Sequence, residues 1–201
     1  AEVAGSARSI LTGERCALNF LQRLSAVATQ TAAYVEAVQG TKARILDTRK
    51  TTPGLRALER QAVRAGGGSN HRTGLYDGIL IKENHQALME PGALKVAIRR
   101  AQEEFPDYPL VVEADSVELA VQLLAEPLDR ILLDNLTVEQ VTQVVEKRKA
   151  LHARVELEAS GGVTIRRASE LARAGVEWIS VGALTHSAKA IDFSLDVRAL
   201  S

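Results

Sequence analysis

A chain of 201 residues, 46% hydrophobic and 25% charged, can bury one good core and is too short for two. Its 25 basic and 25 acidic residues cancel, so no global field draws in nucleic acid or a membrane surface, and any basic site must be local. The single cysteine, Cys16, excludes an intrachain disulfide and suits a reducing, cytoplasmic setting, and no apolar run of about 18 residues offers a transmembrane helix.

In chain order, residues 1–13 read as a lead-in of small residues without a signal-peptide core. A long helix is predicted over residues 14–38, because Leu18, Leu21, Leu24, Ala28, Ala32 and Val35 recur at helical spacing. Gly40 stands where a left-handed glycine would end it. From residue 41 to 190 the chain alternates. Apolar runs that stop on a charged or small polar cluster occur at Ala43–Asp47 (ARILD), Gly78–Lys82 (GILIK), Leu110–Asp115 (LVVEAD), Arg130–Asn135 (RILLDN), Val155–Gly162 (VELEASGG) and Trp178–Gly182 (WISVG). Helices are predicted between them: 55–65, broken by Gly66-Gly67-Gly68; 92–104; one starting at Ser116 as N-cap; one starting at Thr137 and reaching about Leu151; and 165–174, with Thr164 as N-cap and Gly175 as its terminator. Residues 191–201 form a tail with no assigned structure.

Strand and helix alternation predicts a parallel sheet in a single α/β domain over residues 1–201. A complete eight-stranded barrel usually needs about 250 residues. Six strands in this length predict an open or incomplete α/β barrel, with a doubly wound sheet as the competitor. In either fold the chemistry sits where the strands end.

The residues at those ends fall into three groups. Arg49 and Lys50 after the first strand, His71 and Arg72 in the next loop, and Lys82 at the end of the second strand are basic. Gathered in one mouth they would repel each other unless an anion filled it, and guanidiniums bind carboxylate or phosphate in a bidentate way. The bland alternative is a solvated loop with scattered salt bridges. Glu113 and Asp134 close two aliphatic strands. Such carboxylates can hold Mg²⁺ through water, stabilise a developing cation or act as a base. Alternatively they pair with Lys50 and Lys82 as a structural ion network. Ser160-Gly161-Gly162 and Val181-Gly182-Ala183 follow the last two strands, where barrels commonly cradle phosphate in backbone N–H groups. His186 lies just beyond. The three groups describe a polyanion site: phosphate at one end, a metal or cationic centre between, carboxylates at the other end.

The stretches ILDTRKTTPGLR (Ile45–Arg56), GGGSNHRTGLYDGILIKENH (Gly66–His85), VVEAD, ILLDN, EASGG and ISVGALTHS, with ILTGERCALNFLQRLS near the start, closely resemble the quinolinate phosphoribosyltransferase family. The resemblance covers essentially the whole chain. It implies a type II phosphoribosyltransferase barrel that converts quinolinate and phosphoribosyl pyrophosphate to nicotinate mononucleotide, pyrophosphate and CO₂ with Mg²⁺ and no organic cofactor. By motif, Arg49, His71, Arg72 and Lys82 match positions that bind the quinolinate carboxylates. Arg15 matches an arginine that family dimers insert into the neighbouring subunit's site. Lys50, Glu113 and Asp134 match catalytic positions around phosphoribosyl pyrophosphate and its metal. Ser160, Gly161, Gly162, Gly182 and His186 match the 5-phosphate loops. Family members carry an N-terminal α/β sandwich domain ahead of this region, and these 201 residues do not include it. The other expectations are a paralogous transferase for another aromatic acid, of the molybdenum-transport-associated kind, and a barrel that binds without turnover.

Overall fold

A computed structural model describes residues 2–198. The strands are β1 (Arg44–Leu46), β2 (Ile79–Ile81), β3 (Leu110–Ala114), β4 (Arg130–Asp134), β5 (Glu156–Ser160) and β6 (Trp178–Ser180). All pairings are parallel, and the six strands lie in the order β1-β6-β5-β4-β3-β2. Sequence order is therefore kept around the sheet except that β1 returns to lie beside β6. The sheet does not close between β1 and β2, which is the open barrel expected, and the doubly wound order is absent.

Eight helices accompany the described strands: α1 (Ala7–Ala37), α2 (Arg56–Ala65), α3 (Glu83–Ala87), α4 (Ala93–Glu104), α5 (Val117–Leu123), α6 (Val138–Ala150), α7 (Ile165–Ala174) and α8 (Ala183–His186). The cap signals explain the boundaries. Ser116 and Thr164 accept hydrogen bonds from the N–H groups of Leu119 and Arg167, and Thr137 forms a reciprocal capping box with Gln140. Gly175 ends α7 in the left-handed region at φ 106°. The first helix departs from expectation. It starts at Ala7 rather than residue 14 and runs for 31 residues, about 46 Å at 1.5 Å each. No residue before Leu18 in it is buried, so this half has no core-facing period for a sequence pattern to reveal. The short helices α3 and α8 also went unread, because a single turn carries no period. Residues 189–198 are irregular, and the rest of the expected tail lies outside the described residues.

Alternation along the strands divides the core. Ile45, Val112, Ala114, Ile131, Leu133, Leu157, Ala159, Ile179 and Val181 point outward into the apolar layer beneath the helices. The alternate positions face the barrel interior, and these are mixed: Leu46, Val111 and Leu132 beside Glu113, Arg130, Asp134, Glu158, Trp178 and Ser180. At the N-terminal ends of the strands, Arg148 of α6 donates to Glu177 at 2.7 Å and to the Val155 carbonyl at 3.2 Å. Burial works against the Glu177 carboxylate, but Arg148, Lys42 and the Leu157 N–H hold it below the usual carboxylate range. This face is a structural clamp.

The seam between β1 and β2 is filled by the segment from Ser69 to Gly78. Ser69 bridges Leu46 in parallel, with Ser69 N–H to the Ile45 carbonyl at 2.8 Å and Asp47 N–H to the Ser69 carbonyl at 3.1 Å. Beyond it the backbone is satisfied by side chains. Buried Asp47 accepts from His71 N–H at 2.7 Å and the Asn70 amide at 2.6 Å, and faces Arg60 at 3.6 Å. Arg60 donates to the His71 carbonyl at 2.8 Å, Arg56 donates to that of Thr73 at 3.1 Å, and Asp77 accepts from Thr73 and Gly74 N–H groups.

Asp47→Ala should therefore unseat the seam. It leaves Arg60 without its carboxylate and two donors unpaired, an expected loss of about 3 kcal/mol or more in urea unfolding. A loss under about 1 kcal/mol would show that the seam does not depend on this carboxylate.

Candidate active site

Read around the barrel at the strand C-termini, the ends are Lys82 after β2, Glu113 in β3, Asp134 in β4, Ser160 in β5, Gly182 after β6, and Arg49-Lys50 after β1. The seam segment supplies His71 and Arg72 between the last and the first. The charge groups thus form a ring. Because β1 lies beside β6, the basic loop after β1 meets the glycine loops directly.

The phosphate-type corner is built by close approach. Gly161 has φ 88°, and a Cβ there would stand 2.0 Å from Asn135 Oδ1. Only glycine fits. A Cβ on Gly182 would stand 3.0 Å from His186 Nε2 and 3.5 Å from Lys50 Cδ, so these three residues converge. His186 Nδ1 is 2.5 Å from Ser187 Oγ, leaving Nε2 toward Gly182. Gly162, at φ 53°, completes the turn into α7.

Lys50 owes its place to buried contacts that carry no chemistry of their own. Its carbonyl accepts from Thr185 Oγ at 2.8 Å. Arg23 of α1 donates to the Thr185 carbonyl and to Glu59 of α2, the latter at 2.8 Å. Glu59, fully buried, accepts from Thr52 N–H at 3.1 Å and Thr52 Oγ at 2.7 Å. Arg56 donates to the Arg49 carbonyl at 3.1 Å. The TRKTTPG loop is thus pinned between α1, α2 and α8. Sequence reasoning passed over Arg23 and Glu59. The available signal was an acid three and four positions ahead of Ala62 and Val63, on a helix face that otherwise buries.

In the acidic arc, Ser160 Oγ donates to Asp134 Oδ1 at 2.6 Å and the Asn135 amide donates to Oδ2 at 2.8 Å. Lys82 Nζ stands 2.6 Å from Glu113 Oε2. One expected structural pair, Lys82 with Glu113, is therefore present. Burial, then a hydrogen bond with the Glu83 carboxyl, pushes Glu113 up to about 7 against the pull of Lys82, and Asp134 adds to the push. Sharing that hydrogen bond, exposed Glu83 stays below the usual range. Among the described residues no group of three or more His, Cys, Asp or Glu side chains converges as a metal cage. Two carboxylates are what a Mg²⁺ ion takes when substrate phosphates supply its other oxygens.

In the basic arc, burial and the neighbouring Arg49 lower the Arg72 guanidinium's affinity for its proton, against Asp77. Arg49 and Arg72 are therefore close enough to repel. His71 is turned inward. Its Nε2 lies 3.3 Å from Glu158 Oε1, and its Nδ1 accepts from the Arg72 N–H at 2.7 Å. Glu158 also takes Arg130 Nη1 at 2.8 Å and Ser180 Oγ. Burial opposes its ionisation, yet His71, then Arg130 and Ser180, hold its carboxyl below the usual range. Beneath the mouth a cavity of about 410 Å³ runs from His71 and Arg72 to Arg130 and Trp178. Arg130 stacks 4.4 Å over the Trp178 ring. Glu158, Arg130 and Trp178 were not anticipated as part of the site. A buried parallel strand is normally apolar throughout, and the alternation in ELEAS was the sign of a polar inner face. Arg15 stands apart from all of this, exposed on the half of α1 that precedes its first buried residue.

The Glu113 carboxyl sets a stability prediction for the protein without metal or substrate. Its folded pKa of about 7 lies above its ordinary 4.5, so between these values the folded state holds more proton than the unfolded. Its contribution to stability is then present below pH 4.5 and is lost as pH rises to 7. Glu113→Gln should flatten that decline in unfolding midpoints measured across the window; an unchanged slope would assign the decline to other groups.

Residues 27–196 match the family described as quinolinate phosphoribosyl transferase, C-terminal domain. The chain is 48% identical over 195 residues to the nicotinate-nucleotide pyrophosphorylase [carboxylating] of Mycobacterium leprae, covering 97% of this chain and 68% of that protein. To the probable enzyme of that name from Bacillus subtilis it is 43% identical over 198 residues, covering 98% and 67%. The crystal structure of NadC from Streptococcus pyogenes superposes with a TM-score of 0.87 at 43% identity, covering 96% of this chain and 66% of that one. The chain therefore spans about two thirds of the length of these relatives. With the family match, the identity and the fold in agreement, the chain belongs to the quinolinate phosphoribosyl transferase family, as its C-terminal domain.

Proposed function

We propose that the protein transfers the phosphoribosyl group of phosphoribosyl pyrophosphate to quinolinate with loss of CO₂, giving nicotinate mononucleotide and pyrophosphate for de novo NAD biosynthesis. The observation that carries this reading is the ring of charge. Two guanidiniums that repel each other, Arg49 and Arg72, adjoin a carboxylate pair, which adjoins a glycine cradle that Lys50 also faces. A dianionic ring, a cationic sugar centre and a phosphate fill these three arcs.

The 5-phosphate lies in the N–H groups of Gly161, Gly162 and Gly182, with Ser160, Lys50 and His186 at its edge. Arg49, Arg72 and Lys82 hold the quinolinate carboxylates and so aim the ring nitrogen at ribose C1. The nitrogen attacks C1 as the bond to pyrophosphate breaks, and positive charge grows on the sugar. Glu113 and Asp134 place negative charge beside it. Glu113 and Asp134 would hold Mg²⁺ beside the substrate phosphates, where it would supply neutralising charge for the leaving pyrophosphate. The ring nitrogen is now cationic. Its positive charge stabilises the electron pair left on the adjacent ring carbon when the carboxylate departs as CO₂, and that pair then takes up a proton. No organic cofactor and no covalent enzyme nucleophile enter this scheme.

The working unit is a homodimer or larger assembly in which a second copy delivers Arg15. Exposure of Arg15, and of Leu75, Tyr76 and Leu88 on the loops about the mouth, supports a covered site. Among the described residues no helix is long and apolar enough to cross a membrane. The free, exposed Cys16 suits the reducing cytoplasm.

Supplied with both substrates and Mg²⁺, the full-length protein should release labelled CO₂ from carboxyl-labelled quinolinate. Turnover of nicotinate in its place, or ligand binding with no release, would overturn the assignment. In calorimetry Arg72→Ala should weaken quinolinate at least about tenfold and phosphoribosyl pyrophosphate little, with Lys50→Ala doing the reverse. Equal losses for both ligands in both variants would reject this division of the ring.

A further inference from the structure

We infer that Glu158 is a positioning residue for the quinolinate end of the site, acting through the His71 imidazole on Arg72. The inference rests on the functional reading above and adds to it a residue outside the ring of strand ends.

Glu158 sits at the middle of β5, facing into the barrel, fully buried. A carboxylate there is costly unless donors surround it. It has three: Arg130 Nη1 at 2.8 Å, Ser180 Oγ, and His71 Nε2 at 3.3 Å. Arg130 and Ser180 come from neighbouring strands and belong to the barrel wall. His71 does not. It comes from the seam segment, where the chain runs without a sheet partner beyond Ser69. Through His71 the rigid interior takes hold of that segment.

The second ring nitrogen gives the contact its direction. The Arg72 N–H donates to His71 Nδ1 at 2.7 Å, so Nδ1 is an acceptor and the ring's remaining proton lies on Nε2, toward Glu158. Both nitrogens are spent. The imidazole is a bridge from a buried carboxylate to the backbone of Arg72.

Arg72 has need of such a bridge. Its guanidinium is partly buried beside Arg49, and both burial and like charge disfavour its charged form. Its distal hydrogen bond, to the Gly78 carbonyl at 3.3 Å, is long. Its course is set by the backbone from which it starts. Arg60 fixes the carbonyls of His71 and Arg72, Asp47 fixes the His71 N–H, and the His71 ring fixes the Arg72 N–H. Of these, only the last is governed from inside the barrel.

The test is Glu158→Gln, which keeps the shape of the side chain and removes its charge. With the native fold confirmed by circular dichroism and melting, KM for quinolinate should rise about tenfold, and KM for phosphoribosyl pyrophosphate should stay within about twofold. A purely structural Glu158 would change both equally or neither, and either result overturns the inference. A second measurement needs no variant and no turnover. In the substrate-free wild-type protein, ¹⁵N–¹H correlation spectra of labelled histidines should show Nδ1 of the His71 ring as an acceptor and the ring proton on Nε2. A proton on Nδ1, or on both nitrogens, overturns the bridge. The spectrum decides the matter if Glu158→Gln does not fold. It also separates this inference from the functional reading: a wild-type protein that leaves quinolinate unchanged refutes that reading, while the ring-nitrogen spectrum still tests the bridge.

Discussion

A parallel sheet of six strands bent toward a barrel has two free edges, and everything at this mouth depends on how the gap between them is sealed. An unpaired edge exposes a row of N–H and C=O groups, and a buried one must satisfy them. Among the described residues no seventh strand does so. A loop enters the seam, pairs with β1 for one residue, and then has its backbone groups met by side chains of Asp47, Arg56, Arg60, His71 and Asp77. Side-chain hydrogen bonds are more demanding than a ladder, because each requires a particular residue at a particular place. In return the seam can present side chains where a strand would present a flat edge. His71 and Arg72 occupy the sector between β1 and β2 for that reason.

The second consequence concerns the barrel interior. Barrels of this type ordinarily fill their centre with branched aliphatic layers. Here the small strand number and the open seam leave a centre that is partly polar, with Arg130, Glu158 and Ser180 linked together and Trp178 against Arg130. Such buried charge contributes little net stability compared with an apolar core of the same volume. Its value is geometric. A salt-bridged carboxylate in the middle of a barrel is a fixed point, and a loop tied to a fixed point holds its own residues in register.

Much of this was legible in the sequence, and what was missed has a common cause. The strands and capped helices α5 to α7 followed from local pattern, because apolar periodicity and N-cap oxygens are properties of adjacent residues. The strand-end residues followed from topology alone. Arg23, Glu59, Asp47, Arg130 and Glu158 did not, since each is explained only by a partner far along the chain, as Arg23 is by Glu59 and the Thr185 carbonyl. A sequence shows that a charge falls on a buried face; it does not show which distant donor makes that tolerable. The exposed first half of α1 failed for the opposite reason, having no buried face to leave a period.

The ring order also changes the electrostatic argument. Read along the chain, the strand ends suggest a line from cations through carboxylates to glycines. Folding β1 next to β6 joins the two ends of that line. Lys50 then serves the glycine cradle while Arg49, one residue earlier, stands with Arg72 across the seam. One loop, pinned by Glu59, Arg23 and Thr185, thus sets the spacing between the phosphate corner and the carboxylate corner. That spacing is the quantity an in-line transfer between two bound anions depends on. It explains why the loop carrying half-buried Arg49 and exposed Lys50 is anchored by a fully buried carboxylate and an arginine from a helix on the outside of the barrel. The anchor fixes the distance between the Lys50 corner and the Arg49–Arg72 corner, where two guanidiniums repel each other.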